Sequence, residues 1–302
     1  MRTLKISNLV VDYKKPETQK FFSPLLFIHG MWGGSWYWKK FMKYFAQQGF
    51  ECYAPNLRGH WGSKKTKDIG KTSILDYISD IQEVIQYLKT KYLGAPILIG
   101  HSMGGLIAQK IIEINELFAI RAGILICPAP PHGIPLKNIM KPMGKQPNHL
   151  FSTTYKRPIK LSYRLAVKAM LECLDEKNRR RVYEKLVPES GLASKEIALG
   201  AVNVDETKIH CPILIIACKK DKIVPAEVVK QIAQKYNGNI ELKEYENHAH
   251  WVVEENGWEL IAEDIKSWIV KILIKKKMYI SSYQKALENT PQTLENTSPQ
   301  NF

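Results

Sequence analysis

The sequence predicts an α/β protein: a mostly parallel sheet with helices on both faces, interrupted by a helical cap insertion. Three observations predict it. Short, nearly continuously apolar runs alternate with amphipathic helical patterns, as strands buried on both faces require. The run Ile97-Leu98-Ile99 ends in Gly100-His101-Ser102-Met103-Gly104-Gly105, and a helical pattern starts directly after it. The alternation then stops between residues 131 and 210, a stretch far too long to be a loop.

Taken in order, Leu4 to Asp12 reads as one or two short edge strands. Leu25 to Ile28 is an apolar strand running into His29-Gly30-Met31-Trp32-Gly33-Gly34. Trp36 to Gln48 reads as a helix closed by Gly49, and Phe50 to Ala54 as a strand that ends in the glycine-rich loop Pro55 to Ser63. Ile74, Tyr77, Ile78, Ile81, Ile85 and Leu88 mark a helix over 74–91. The serine-bearing strand and its helix follow, then a strand at Ile120 to Cys127. Within the insertion, helical patterns cover 161–174, 176–186 and 194–201. Strand and helix resume with Pro212 to Cys218, Ala226 to Tyr236, Ile240 to Tyr245 and Trp258 to about Ile274. The expected organisation is a core from 1–130 and 211–278, a helical cap at 131–210, and a disordered polar tail at 279–302.

Composition bounds the rest. A chain of 302 residues with 45% apolar side chains can bury a substantial core. No apolar run approaches the ~18 residues that span a bilayer, and Met1 to Ile6 lacks the apolar region of a signal peptide. Five cysteines, Cys52, Cys127, Cys173, Cys211 and Cys218, show no C-x-x-C spacing and read as reduced thiols of a cytoplasmic protein. The net charge of +15 is spread over the chain, and no nucleic-acid motif accompanies it, so no nucleic-acid partner is expected. The sequence does not fix the oligomeric state.

The chemistry starts at Ser102. G-x-S-x-G between a strand and a helix is the pattern of a nucleophile elbow, which lifts a serine hydroxyl above a sheet. Its helix start directs the Met103 N–H to the same space, where an oxyanion can form. The Met31 N–H, from the loop after the early strand, is the second candidate donor. His29, just before that loop's glycine, reads as a structural hydrogen-bonder. A serine hydroxyl needs a base, and the base needs an orienting group. Asp221 is the acid candidate because it follows the strand 213–218, at the carboxyl edge of a parallel sheet. Asp205 is the alternative, but it precedes its strand. The base lies in Tyr245 to Glu254, where His248 and His250 compete.

Over residues 20 to 275 the sequence resembles the α/β-hydrolase superfamily. The matching stretches are HGMWGG, APNLRGHWGS, GHSMGG, CPILIIACKKDKIVP and NHAHWVVEENGW, in that order. The stretch LVPESGLASKEIALG resembles the cap of lipase- and esterase-like members. The resemblance implies a serine triad of Ser102, Asp221 and His250, with the choice of His250 resting on its spacing before Glu254 and Glu255. It implies Met31 and Met103 as oxyanion donors, no cofactor and no metal. It implies hydrolysis of a small-molecule carboxylic ester or thioester through an acyl-enzyme, with the cap, including Tyr163, Leu165 or Met170, setting substrate choice. The same triad also serves C–C bond cleavage or lyase chemistry in some members, and the fold serves as a non-catalytic ligand receptor in others. Ser102 argues against the epoxide hydrolases and haloalkane dehalogenases, which use an aspartate nucleophile. Two positions depart from the usual D-L-R-G-H-G loop: Asn56 stands for the acid and Trp61 for a glycine.

Overall fold

The structure is a computed structural model that describes residues 1–64, 66, 68–115, 119–134, 156–236, 238 and 240–288, with backbone alone for 275–288. Eight strands form the main sheet: β1 (Arg2–Ile6), β2 (Leu9–Lys14), β3 (Leu25–Ile28), β4 (Cys52–Pro55), β5 (Ile97–His101), β6 (Ala122–Ile126), β9 (Ile213–Cys218) and β10 (Ile240–Tyr245). Their order is β1-β2-β4-β3-β5-β6-β9-β10. β2 runs antiparallel to both neighbours, and every other pairing is parallel. The chain moves outward from β3 to β4, then crosses back to place β5 on the other side of β3. The carboxyl ends of β3 and β5 thus flank a point where the winding reverses, the usual place for a ligand crevice in an open α/β sheet.

Alternation along the strands splits the core in two. Leu26, Ile28, Leu98, Leu125 and Ile215 point to one face, beneath α2 (Ile74–Lys91), α3 (Met103–Ile114) and α7 (Ala226–Lys235). Leu25, Phe27, Ile99, Ile124 and Ile216 point to the other, beneath α1 (Lys39–Gln47) and α8 (Trp258–Glu288). The α2 start is a capping box: the Ser73 hydroxyl accepts from the Asp76 N–H at 3.1 Å, and the Asp76 carboxylate accepts from the Ser73 N–H at 2.9 Å.

The described part of the insertion between β6 and β9 carries α4 (Tyr163–Ala166), continued by a π turn (Val167–Leu171), then α5 (Glu176–Lys185) and α6 (Gly191–Ala198). These match the three helical patterns. The insertion also holds two strands, β7 (Pro158–Ile159) and β8 (Glu189–Ser190), paired antiparallel. Two residues are too few for an alternation to show in a sequence. Residues 135–155 of the expected cap lie outside the described residues.

The expected tail boundary needs correction. α8 continues to Glu288, ten positions past residue 278. Residues 279–288 hold no glycine or proline. Their polarity argues against a core position, but not against helix. The remainder of the tail, 289–302, lies outside the described residues. No described helix is long and apolar enough to cross a membrane.

Candidate active site

β5 ends at His101 and α3 starts at Met103, so one residue makes the reversal. Ser102 takes φ 55° and ψ −121°, a left-handed conformation rare for a side-chain-bearing residue. Its N–H donates to the Ile126 carbonyl at 3.0 Å, and its carbonyl accepts from Ala129 at 2.9 Å and from Gly105 at 2.9 Å. Neighbouring backbone therefore holds the strained turn. The tight crossing also needs two bare α-carbons. A Cβ on Gly100 would strike the Gly104 carbonyl, and one on Gly104 would strike the Ile28 carbonyl.

The loop after β3 comes up against this turn. A Cβ on Gly30 would stand 3.0 Å from both Ser102 Cβ and the His101 carbonyl oxygen. Met31 follows directly, and the Met103 N–H lies in the first turn of α3, where an amide has no partner within the helix. The two expected oxyanion donors thus belong to backbone segments that meet beside Ser102.

Asp221 sits just beyond β9, buried, with Oδ1 accepting from the Ile223 and Val224 amides at 2.8 Å each. Its Oδ2 faces His250 Nδ1 at 2.8 Å. His250 Nε2 lies 3.0 Å from Ser102 Oγ. The carboxylate accepts only, so Nδ1 carries the proton and Nε2 is left to accept from the serine hydroxyl. A hydroxyl, an imidazole and a carboxylate from three separate loops thereby form one line of hydrogen bonds.

A profile of the Hydrolase_4 family, described as serine aminopeptidase, S33, matches residues 22–257. The chain belongs to this α/β-hydrolase family. It is 20% identical over 254 residues to a carboxylesterase of Bacillus subtilis, an alignment covering 82% of this chain and 92% of that one. Among solved structures, a putative lipase from Acinetobacter baumannii superposes with a TM-score of 0.69 at 18% identity, covering 91% of this chain and 92% of the other. The monoacylglycerol lipase of Paleococcus ferrophilus superposes with a TM-score of 0.66 at 20% identity, covering 87% and 99%. The protein is a hydrolase of the α/β-hydrolase type.

The hydrolase separates the competing residues. His248 faces away from the serine, to Glu255 Oε2 at 3.2 Å, and the same carboxylate accepts from the Ala249 N–H at 2.9 Å. Asp205 caps a surface turn through Thr207. His29 is the expected structural hydrogen-bonder: Nδ1 meets the Gly30 carbonyl at 2.9 Å, and Nε2 accepts from the Leu57 N–H at 3.1 Å. Burial, together with the nearby His60, pushes its pKa down to about 3, so it stays neutral. Asn56 bonds the Ser35 N–H and the Val10 carbonyl, so the departure from the family acid serves loop packing. Trp61 takes φ 38° and packs on Trp36. Of the insertion residues expected near substrate, Met170 is buried in the core, and Tyr163 packs on Tyr183 and donates to Glu176.

Several residues escaped the sequence reading. Tyr37 accepts a hydrogen bond from the Gly30 N–H. His101 Nε2 meets the His250 carbonyl at 2.8 Å, tying the elbow to the base loop. Burial, with His250 nearby, holds the His101 pKa well below the ordinary value, so Nε2 is the donor of a neutral ring. Glu189 is fully buried in β8 and bonded to His60, Tyr77, Trp32 and Ser190. Burial acts against charge on both His60 and Glu189. Their mutual attraction and their hydrogen bonds together outweigh it, raising the His60 pKa and lowering that of Glu189. His60 had one signal, its place in the RGHWGS loop; Glu189 had only its place in a cap-like stretch.

Proposed function

We propose that this hydrolase cleaves carboxylic esters or thioesters through an acyl-enzyme on Ser102. The observation that carries the reading is the line from Ser102 Oγ through His250 to Asp221, at 3.0 and 2.8 Å. Ser102 Oγ attacks the acyl carbon while its proton passes to His250 Nε2. Asp221 holds the imidazole in the accepting tautomer and stabilises the imidazolium that forms. The carbonyl π pair moves to oxygen, where the Met31 and Met103 N–H groups receive the negative charge. Collapse expels the alkoxide or thiolate, which takes the proton from His250. Water then repeats the sequence on the acyl-enzyme, returning Ser102 and releasing the acid.

The segment 131–210 acts as a cap and sets the acyl group accepted. All five cysteines are unpaired, in keeping with a reducing, cytoplasmic setting. The test has two arms. A fluorophosphonate should label wild type, but not Ser102→Ala. A panel of aryl esters, thioesters, aminoacyl amides and β-diketones should show turnover on the first two. Turnover of amides alone, or of diketones alone, would replace this reading with peptidase or C–C hydrolase chemistry.

A further inference from the structure

Trp32 follows the proposed oxyanion donor Met31, and it is tightly constrained. It takes φ 61°, a left-handed conformation that a bulky aromatic residue avoids. Every polar group of Trp32 is bonded to the insertion. Its N–H donates to Glu189 Oε2 at 3.2 Å, its carbonyl accepts from the Val187 N–H at 3.0 Å, and its indole N–H donates to the Ile159 carbonyl at 3.0 Å. The backbone next to Met31 is thus held by the insertion rather than by the sheet.

Glu189 is the one side chain in that grip, and it is itself fixed from both sides. Oε2 receives His60 Nε2 at 3.2 Å besides Trp32, and Oε1 receives the Tyr77 hydroxyl at 2.5 Å and the Ser190 N–H at 2.7 Å. It is fully buried, and so is His60. A carboxylate with four donors has no freedom to drift, so its contact with the Trp32 N–H is a fixed point.

We propose that Glu189 is a positioning residue for catalysis: it clamps Trp32 in its left-handed turn and so aims the Met31 N–H at the oxyanion formed on Ser102. The inference rests on the proposed function. The insertion then contributes to the rate as well as to substrate choice. Pre-aimed donors act only as charge develops, so loosening them lowers kcat more than it weakens substrate binding.

The experiment compares Glu189→Ala, Glu189→Asp and Glu189→Gln with wild type. Competent serines are counted by fluorophosphonate titration. The readouts are kcat per titrated serine and KM on a short aryl ester, and inhibition by an aryl trifluoromethyl ketone, whose serine adduct carries an oxyanion. Glu189→Ala should lower kcat per titrated serine by roughly 10- to 100-fold, with KM within about threefold and ketone affinity falling in parallel with kcat. Gln keeps the reach to Trp32 and Asp does not, so Glu189→Gln should lose less than Glu189→Asp. If the alanine variant does not fold, that order decides. An unchanged kcat per titrated serine, a loss confined to KM or to the number of titratable serines, or Asp outperforming Gln would overturn the proposal. A wild-type protein that takes no label and cleaves no ester would instead remove the catalytic reading itself, and this inference with it.

Discussion

His250 and His60 are both buried imidazoles bonded to a buried carboxylate, yet the two regions are built for opposite ends. In the proposed triad, Asp221 takes Nδ1–H, and the other nitrogen faces a hydroxyl that can donate. That arrangement leaves Nε2 free to accept a proton from the hydroxyl. In the second pair, Glu189 takes Nε2, and the other nitrogen faces the Arg58 carbonyl at 3.0 Å. A carbonyl only accepts, so this arrangement favours an imidazolium that donates from both nitrogens, in line with the raised His60 pKa. The carboxylate partner is common to both. What stands at the far nitrogen separates the proposed proton carrier from an ion pair. His248 with Glu255 is a third such pair, and it faces no serine.

The sharpest way to break this comparison is to remove each ring in turn. His250→Ala should lose on the order of a thousandfold or more in kcat, while His248→Ala keeps activity within a few-fold. Steady-state kinetics on one aryl ester checks this, and the reverse pattern would exchange their roles. Asp221→Asn should cost a comparable factor, on the order of 10³ to 10⁴, because an amide N–H at that place favours the wrong imidazole tautomer. Its unfolding midpoint should move far less than its rate.

A smaller effect tests the tyrosine behind the loop that follows β3. Tyr37→Phe deprives the buried Gly30 N–H of its acceptor, at a cost of about 1–3 kcal/mol in stability. Chemical denaturation with an unchanged m-value would measure it, and a shift under about 0.3 kcal/mol would mean that the amide finds another partner.

The smallest effects concern pH and the tail. The His60 pKa is raised on folding, so its share of the stability is complete below its unfolded value, ~6.5, and is lost as pH rises through the higher folded value. The Glu189 pKa is lowered, so its share is complete above its unfolded value, ~4.3, and is lost as pH falls through the lower folded value. The gap in unfolding midpoint between wild type and Glu189→Gln should therefore be widest between about pH 4.3 and 6.5 and narrow in alkali. A gap that widens steadily to pH 9 would refute the imidazolium. Deleting 289–302, a polar stretch with little apolar surface to bury, should leave kcat and the midpoint unchanged in side-by-side assays.

The sequence by itself determined the sheet, the helices that cover it and the loops that meet at its carboxyl edge. Strand β10 runs Ile240–Tyr245 as read, and α2 runs Ile74–Lys91 as read, because apolar period and capping residues are local properties of a chain. Ser102 was legible for the same reason: strand, glycines and helix must adjoin it. The choice between His248 and His250 was not settled by the residues alone. Two positions apart, both sit in a turn whose direction only the packed loop sets. The Trp32–Glu189 contact was wholly outside the reach of the sequence. Those residues lie 157 positions apart, and neither belongs to a periodic pattern that would pair them. Only tertiary structure decided that a buried carboxylate from the insertion would meet the backbone of the first loop. A buried charge must find donors wherever the folded chain brings them, and sequence spacing carries no record of that meeting.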